Sequence, residues 1–178
     1  MWYKHIDMSW TVFLDRDGVI NKRIFGGYVT KVEDFHFLPG VLEGLQKLAE
    51  IVGNVFVVTN QQGVAKNLMS IHDLQDIHDN MVNEVANSGG KIDYVFSAVN
   101  IKGAAEDNRK PNPYMAFKAK ELFPTIDFEK SVMIGDTNGD IAFGNNLGMK
   151  TVLVRSDEVV TETPDLYVDS LLNFINYL

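Results

Sequence analysis

The sequence WTVFLDRDGVI, residues 10–20, is an apolar run that ends abruptly in two aspartates and a glycine. The run before Asp15 is typical of a β-strand, and an open α/β sheet binds its ligands at the carboxyl ends of its strands. Gly18 permits the sharp turn that brings the chain back over that edge. We therefore expect Asp15 and Asp17 to face one point, where one carboxylate attacks an electrophile and the other handles a proton. Two turn-forming residues at a strand end would show the same pattern.

Length and composition predict one domain with a sizeable core, since the chain has 178 residues of which 46% are hydrophobic. The formal net charge of -8 argues against nucleic acid or an anionic membrane as the main partner. The sequence has no cysteine, which excludes a disulfide, a thiol nucleophile and a cysteine-ligated zinc. No apolar run approaches transmembrane length. We expect a cytoplasmic monomer that acts on a small molecule.

Charge is unevenly distributed along the chain. Residues 1–31 carry five basic side chains against three acidic ones, a local charge of +2. This distribution predicts that an anionic substrate meets a positive entrance on an otherwise acidic protein.

Strand-like and helix-like segments alternate, which predicts a parallel sheet flanked by helices with right-handed crossovers. The predicted strands cover residues 10–15, 55–59, 94–99, 131–136, 151–154 and 167–168. We expect a single three-layer, Rossmann-like domain over residues 1–178, with a lead-in at 1–9, loops at 21–40 and 99–112, and no separate cap domain. The second predicted helix carries His72 and His78, whose spacing does not suit a shared metal, and we expect both at the surface or at its boundary.

Polar residues follow four of the predicted strands, at what should be one edge of the sheet. These residues are Asp15 and Asp17, Thr59 and Asn60, Arg109 and Lys110, and Asp136 and Asp140. Such a set suits phosphoryl transfer to a carboxylate, because a nucleophilic carboxylate and a phosphate dianion repel each other unless a cation lies between them. Asp15 and Asp136, with Asp140 as a further candidate, would supply the oxygen ligands that magnesium prefers.

The remaining groups of this set also fit that reaction. Lys110 supplies a positive charge for the phosphoryl oxygens, and Thr59 supplies a hydroxyl donor. Asp17 can protonate the leaving alkoxide and then activate water against the acyl phosphate. None of these groups is specific by itself.

Four segments resemble, in order, the motifs of the haloacid dehalogenase (HAD) superfamily phosphatases. They are FLDRDGVI at residues 13–20, VVTNQ at 57–61, RKP at 109–111 and GDTNGD at 135–140. The sequence is most similar to the cap-less subgroup that acts on heptose bisphosphate and histidinol phosphate. The resemblance covers about 140 residues, from Thr11 to Val154.

This resemblance implies a role for each matching residue. The catalytic residues are then Asp15 as the nucleophile and Asp17 as the acid and base. The residues that bind substrate and phosphate are then Tyr28, Thr59, Asn60, Gln61, Arg109 and Lys110. The ligands of one magnesium ion are then Asp15, Asp17 through its main-chain carbonyl, Asp136 and Asp140.

Three short segments indicate which substrate the resemblance implies. The segments GYV at residues 27–29, TNQQG at 59–63 and RKP at 109–111 favour D-glycero-D-manno-heptose 1,7-bisphosphate. The alternative is histidinol phosphate or another small phosphomonoester. A polynucleotide 3'-phosphatase, which would need a basic groove, and a non-catalytic binding module are more distant alternatives.

The sequence departs from many relatives at a zinc site. Those relatives hold zinc with cysteines and a histidine in the loop before the Arg-Lys pair. Here Ser97, Val99, Glu106 and Asn108 stand near the ligand positions, and none is a ligand that a structural zinc site uses. We therefore expect no zinc.

Overall fold

The first strand lies in the middle of a six-stranded sheet. A computed structural model describes residues 1–178. Its strands are β1 (Thr11–Leu14), β2 (Asn54–Asn60), β3 (Tyr94–Ala98), β4 (Ser131–Gly135), β5 (Lys150–Val154) and β6 (Leu166–Val168). Their order is β3-β2-β1-β4-β5-β6, and every neighbouring pair is parallel. The strand order reverses between β1 and β4, and this is the place where open α/β sheets bind ligands.

Five α-helices connect or follow the strands, so the predicted α/β fold is confirmed. They are α1 (Val41–Ala49), α2 (Ile71–Asn87), α3 (Tyr114–Leu122), α4 (Asn138–Asn146) and α5 (Leu171–Ile175). The sequence SIHD at residues 70–73 forms a capping box at the start of α2: the Ser70 hydroxyl accepts from the N–H of Asp73, whose carboxylate accepts from the N–H of Ser70. No helix is both long enough and apolar enough to cross a membrane.

Alternate residues of each central strand contribute to two separate cores, as the two-residue period of a strand requires. Val12 and Leu14 belong to a cluster of 24 buried residues, and Phe13 belongs to a cluster of 12 on the other face. Helices α1, α2 and α5 cover the larger cluster, while α3 and α4 cover the smaller one. With both faces covered, the free carboxyl edge of the sheet is where polar groups collect.

Residues 21–40 form an ordered lobe over that edge. Asn21 bridges to Phe37 in antiparallel register, and the N–H of Lys22 donates to the carbonyl of His36 at 2.8 Å. The segment also contains a 3-10 helix, Val32–Asp34. This pairing brings the end of the lobe back beside the turn that follows β1.

Candidate active site

Asp15 and Asp136 follow the two central strands and lie side by side. The N–H of Asp15 donates to the carbonyl of Ile134 at 2.9 Å, which extends the parallel pairing beyond β1. Gly18 has φ of +96°, and a Cβ there would lie 2.2 Å from Oδ2 of Asp136. The turn after β1 therefore needs glycine for its left-handed conformation and for the close approach of Asp136.

Asp15, Asp136 and Asp140 form one buried acidic cluster that includes a lysine. One carboxylate oxygen from each lies within 4.8 Å of the others. Nζ of Lys110 lies 2.7 Å from Oδ1 of Asp15 and 2.6 Å from Oδ1 of Asp140. Three carboxylates around one ammonium group leave an excess of acceptor oxygens, which suits a hard divalent cation.

Burial is the main physical cause of the altered ionisation in this cluster. Burial, together with Asp140 and Asp136, raises the pKa of Asp15 to about 8 although Lys110 opposes the shift. Burial and Asp140 likewise raise the pKa of Asp136 to about 6. Burial disfavours the ammonium group of Lys110, but Asp140 and Asp15 outweigh it and raise its pKa. An added cation would favour the ionised forms of Asp15 and Asp136.

The carboxylate oxygens of this cluster differ in how many hydrogen bonds and ion pairs they already make within the protein. Oδ1 of Asp136 is buried without a hydrogen-bond partner, so it is free to bind a cation. Oδ2 of Asp140 accepts from the N–H and the hydroxyl of Thr137, at 3.0 and 2.7 Å, in the capping box of α4. Since its Oδ1 contacts Lys110, Asp140 has neither oxygen free. Asp15 and Asp136 are therefore the better-suited cation ligands.

Asp17 lies beside the cluster with its carboxylate held by donors. Oδ1 accepts from Nδ2 of Asn21 at 2.9 Å, and Oδ2 accepts from Nε2 of Gln61 at 2.8 Å. Nη2 of Arg16 lies 3.1 Å from Oδ1 and 3.0 Å from Oδ2. Burial works to raise the pKa of Asp17, but the Arg16 charge and these hydrogen bonds outweigh it and lower the pKa. Asp17 is thus ionised when no substrate is present.

The end of β2 supplies three of the predicted residues in different ways. Thr59 lines the cleft, and its hydroxyl accepts from Nε2 of Gln61 at 2.8 Å. Asn60 also lines the cleft and fixes the next loop, because its amide exchanges hydrogen bonds of 3.2 and 2.9 Å with the main chain of Lys110. Gln61 differs from our expectation of a substrate contact: it is 1% exposed and does not line the cleft. Its side chain holds Asp17 and Thr59 instead.

A cleft of about 880 Å³ opens over these residues. Its walls include Asp15 and Asp17, the lobe at residues 24–29, and residues of the loops after β3 and β5. Its basic residues are Arg23, Lys66, Lys102, Arg109 and Lys110. Of the five basic side chains within residues 1–31, Arg23 alone lines this cleft. Most of the positive charge at the entrance therefore comes from later segments, contrary to the expectation from the local charge of +2.

Arg109 and Tyr28 both line the cleft. Nε of Arg109 is buried without a hydrogen-bond partner. Asp107 does not neutralise its guanidinium directly; its carboxylate accepts from the main-chain N–H groups of Gly103 and Arg109, at 2.8 and 3.1 Å. The Tyr28 hydroxyl accepts from Nζ of Lys66 at 3.0 Å. These groups add polar and cationic surface to the cleft.

Arg23 is a site residue that the sequence did not reveal. Its Nη1 lies 3.1 Å from Oδ2 of Asp136, and its Nη2 lies 3.3 Å from Oε1 of Glu158. The guanidinium thereby joins the lobe to the loop after β5 across the acidic cluster. A basic residue within a polar loop carries no pattern that could have indicated this contact.

His78 corrects our expectation of a surface or boundary histidine. It is 5% exposed, and its Nε2 lies 3.1 Å from Nη1 of Arg16, which is fully buried. Burial, followed by the Arg16 charge, lowers the pKa of His78 to about 3. The spacing contained the signal, since His78 follows Leu74 by four residues and precedes Met81 by three on the buried stripe of α2. His72 is exposed, as expected.

The loop that carries zinc ligands in many relatives is organised here by Asp107. Its carboxylate accepts hydrogen bonds from two main-chain N–H groups, as described above. Its main-chain carbonyl accepts a further hydrogen bond from Nδ2 of Asn112 at 3.0 Å. These hydrogen bonds, led by that of Gly103, lower the pKa of Asp107. An ionised aspartate thus ties together the segment that leads to Arg109 and Lys110.

Comparison with known protein families agrees with this site. Residues 108–173, which include Lys110 and the Asp136–Asp140 segment, match the family model described as HAD-hydrolase-like. Among curated relatives, the D-glycero-alpha-D-manno-heptose-1,7-bisphosphate 7-phosphatase of Mycobacterium bovis is 35% identical over 78% of this chain and 73% of its own. The D-glycero-beta-D-manno-heptose-1,7-bisphosphate 7-phosphatase of Pasteurella multocida is 35% identical over 87% of this chain and 86% of its own.

A comparison with solved structures supports the α/β fold. The chain superposes on the crystal structure of the D,D-heptose 1,7-bisphosphate phosphatase from B. bronchiseptica complexed with magnesium and phosphate, with a TM-score of 0.82. The match covers 94% of this chain and 97% of that one at 24% identity. At this identity the similarity establishes the fold.

Proposed function

This chain belongs to the haloacid dehalogenase-like hydrolase family, and we propose that it is a phosphatase that removes one phosphate from a D-glycero-D-manno-heptose 1,7-bisphosphate. The observation that carries the proposal is the meeting of Asp15, Asp17, Thr59 and Lys110 in one cleft, with Asp136 in the acidic cluster beside Asp15. The names of the curated relatives support the heptose substrate and favour its 7-phosphate as the one removed. Those names include both anomers, so the anomer is left to the experiment.

Asp15 is the proposed nucleophile. One of its carboxylate oxygens forms a bond to phosphorus while the bond between phosphorus and the sugar oxygen breaks, which gives an aspartyl phosphate and an alkoxide. Lys110, 2.7 Å from Asp15, places a positive charge beside the phosphoryl oxygens. The Thr59 hydroxyl lines the same part of the cleft and can donate to one of them.

Asp17 is the proposed acid and base. It is ionised in the free site, and the negative charge of a bound phosphate beside it favours its protonated form. The protonated carboxyl gives its proton to the departing sugar oxygen. The carboxylate then takes a proton from the water that attacks the aspartyl phosphate, and inorganic phosphate leaves with Asp15 regenerated.

Asp15, Asp136 and the main-chain carbonyl of Asp17 are the proposed ligands of one magnesium ion, with Asp140 as a neighbour that holds Lys110. The free, buried Oδ1 of Asp136 and the acidic excess of the cluster fit such an ion. A bound divalent cation would offset the repulsion between a carboxylate nucleophile and an anionic phosphate. The neighbour of the same fold was itself solved with magnesium and phosphate.

Loops at the rim would recognise what lies beyond the reacting phosphate. Arg109, Tyr28, Lys66 and Lys102 line the cleft, and their positive charge and hydrogen-bonding capacity suit hydroxyl groups and a second phosphate. We therefore propose that recognition requires no separate cap domain. That the protein acts as a cytoplasmic monomer is a further proposal, which these residues do not bear on.

The proposed function is tested by phosphate release from a panel of phosphate esters, compared by kcat/KM. The panel contains both anomers of heptose 1,7-bisphosphate, histidinol phosphate, hexose phosphates, a short 3'-phosphorylated oligonucleotide and para-nitrophenyl phosphate. We expect a heptose bisphosphate to give the highest value, with phosphate lost from carbon 7. A higher value for histidinol phosphate or the oligonucleotide would replace the proposed substrate, and no release from any ester would refute the proposed reaction.

Arg109→Ala is expected to lower kcat/KM for the heptose bisphosphate by about 10–100-fold, the size of one lost charge-assisted contact of about 1.5–3 kcal/mol. The value for para-nitrophenyl phosphate should change by less than about threefold, because that ester has no second phosphate. Lys31→Ala, which removes an exposed cation outside the cleft, is the matched control. Equal losses on both esters would show that Arg109 supports the loop and does not contact substrate.

Removal of divalent cations should abolish turnover, and magnesium alone should restore it, because the acidic cluster has too little positive charge for an anionic phosphate. A zinc-selective chelator should leave activity intact when magnesium is in excess, since the loop at residues 99–112 lacks cysteine and histidine. Elemental analysis of the purified protein accompanies the assay. One tightly held zinc per chain, lost together with activity, would contradict the expectation for this loop.

A further inference from the structure

Arg16 is a fully buried arginine whose side chain the proposed reaction does not use. It follows the nucleophile directly, yet it does not line the cleft. Its main-chain carbonyl accepts from the N–H groups of Val19, Ile20 and Asn21, at 3.3, 2.8 and 3.1 Å. These bonds fix the turn, and the guanidinium extends behind it toward α2 and the lobe.

The surroundings of this guanidinium contain one anion. Nη2 contacts both oxygens of Asp17, while Nη1 contacts Nε2 of His78 at 3.1 Å. A guanidinium only donates hydrogen bonds, so Nε2 must accept, and His78 is the neutral tautomer with its proton on Nδ1. The ring of Phe35 lies 5.9 Å from the guanidinium carbon. The guanidinium of Arg16 therefore contacts neutral side chains on one side and the Asp17 carboxylate on the other.

A purely structural explanation of Arg16 is energetically weak. Burying a charged group costs several kcal/mol, and apolar side chains of similar volume often replace buried ion pairs without loss of stability. Nε of Arg16 also lacks a hydrogen-bond partner, which adds to that cost. An arginine here gains little for the fold, but it fixes one carboxylate.

Asn21 and Gln61 complete the set of donors around Asp17. Asn21 is fully buried and approaches Oδ1, while Gln61 approaches Oδ2. An ionised carboxylate offers about four lone-pair positions, and the hydrogen bonds that Arg16, Asn21 and Gln61 donate occupy three of them. The arrangement leaves capacity for the single proton that an acid and base must carry.

We propose that Arg16, backed by His78 and joined by Asn21 and Gln61, is a positioning group that holds the Asp17 carboxylate in the orientation from which it exchanges its proton. This proposal rests on the proposed function, in which Asp17 protonates the leaving oxygen and deprotonates water. Arg16 does not touch the substrate. It acts through the geometry of Asp17, so its loss should resemble a partial loss of the acid and base.

A positioning role and a general structural role predict different effects on substrates with different leaving groups. A sugar alkoxide needs a proton as it leaves, whereas para-nitrophenolate is stable enough to leave without one. Because kcat/KM reports the steps up to formation of the aspartyl phosphate, Arg16→Met should lower it for the best sugar phosphate of the panel by about 10–100-fold. The value for para-nitrophenyl phosphate should change by less than about threefold. Slower attack of water should also appear as a burst of nitrophenol.

Three further variants make the test decisive. Asn21→Ala, which keeps the arginine, should change the two esters in the same unequal way and decides the question if Arg16→Met does not fold. His72→Ala, on the exposed side of α2, should leave both values unchanged. In an Asp17→Asn background, Arg16→Met should cause no further selective loss on the sugar phosphate, because residues that act as a unit are not additive.

Equal losses on both esters, or an undiminished selective loss in the Asp17→Asn background, would overturn the positioning role while the phosphatase activity itself stands. Failure of the wild-type protein to hydrolyse either ester would instead refute the proposed function, and the positioning role with it. Selective loss on the sugar phosphate that disappears in the Asp17→Asn background would establish Arg16 as a positioning residue.

Discussion

Asp15→Asn should lower phosphate release by about 10⁴-fold or more, because an amide cannot form the proposed covalent intermediate and loss of a nucleophile has effects of this size. The fold should survive. Burial and two neighbouring carboxylates raise the pKa of Asp15, so the substitution removes an acid whose burial is unfavourable, and Lys110 retains Asp140 as its partner. We expect a melting temperature at or above that of the wild type in metal-free buffer.

The measurement combines steady-state turnover with trapping of the intermediate. Wild-type protein quenched in acid during turnover should carry one phosphoryl group on the peptide that contains Asp15, and the variant should carry none. Asp76→Asn, an exposed position on α2, is the matched control and should behave as the wild type. A phosphoryl group trapped on another residue would show that Asp15 is not the nucleophile.

Asp17→Asn should slow turnover of the sugar phosphate by about 10²–10⁴-fold, the usual contribution of general acid–base catalysis. Binding of magnesium should survive, because the proposed ligand at this position is the main-chain carbonyl. The substitution also leaves the buried Arg16 without its counter-ion, so we expect a lower melting temperature as well. Turnover, magnesium binding by calorimetry and thermal unfolding are measured on the same preparation.

Adding Arg16→Met to Asp17→Asn separates the loss of turnover from the loss of stability that Asp17→Asn should cause. Removing the unpaired guanidinium should recover part of the lost stability without recovering turnover. Near-normal turnover of a sugar phosphate by Asp17→Asn would exclude Asp17 as the acid. A parallel loss of magnesium affinity would show that its carboxylate, and not its carbonyl, binds the ion.

Local patterns in the sequence were sufficient for the fold and for the acidic part of the site. An apolar run that stops at Asp15, and another that stops at Asp136, predict strand ends, and parallel strands bring such ends to one edge. The capping box at Ser70 was readable for the same reason, since both partners lie within four residues. Each of these features depends on neighbours along the chain.

The donors around Asp17 were decided by the tertiary structure. Gln61 is 44 residues from Asp17, and His78 is 62 residues from Arg16. Asp15 and Asp17 line the cleft while Arg16 between them is buried, which is the alternation that a two-residue period gives. The sequence could not indicate which distant side chains would meet the buried guanidinium. Arg23 reaches Asp136 across 113 residues from a loop without any period.

The sequence by itself determined which strands end in carboxylates and therefore where a cation and a phosphate can bind. The tertiary structure alone decided which side chains restrain those carboxylates, which cations line the cleft, and that Gln61 holds Asp17 and Thr59 while Asn60 fixes Lys110. The physical reason is the range of the interactions. Strand and cap signals arise from the chain's own backbone, whereas hydrogen bonds between side chains depend on how separate loops pack over the sheet edge.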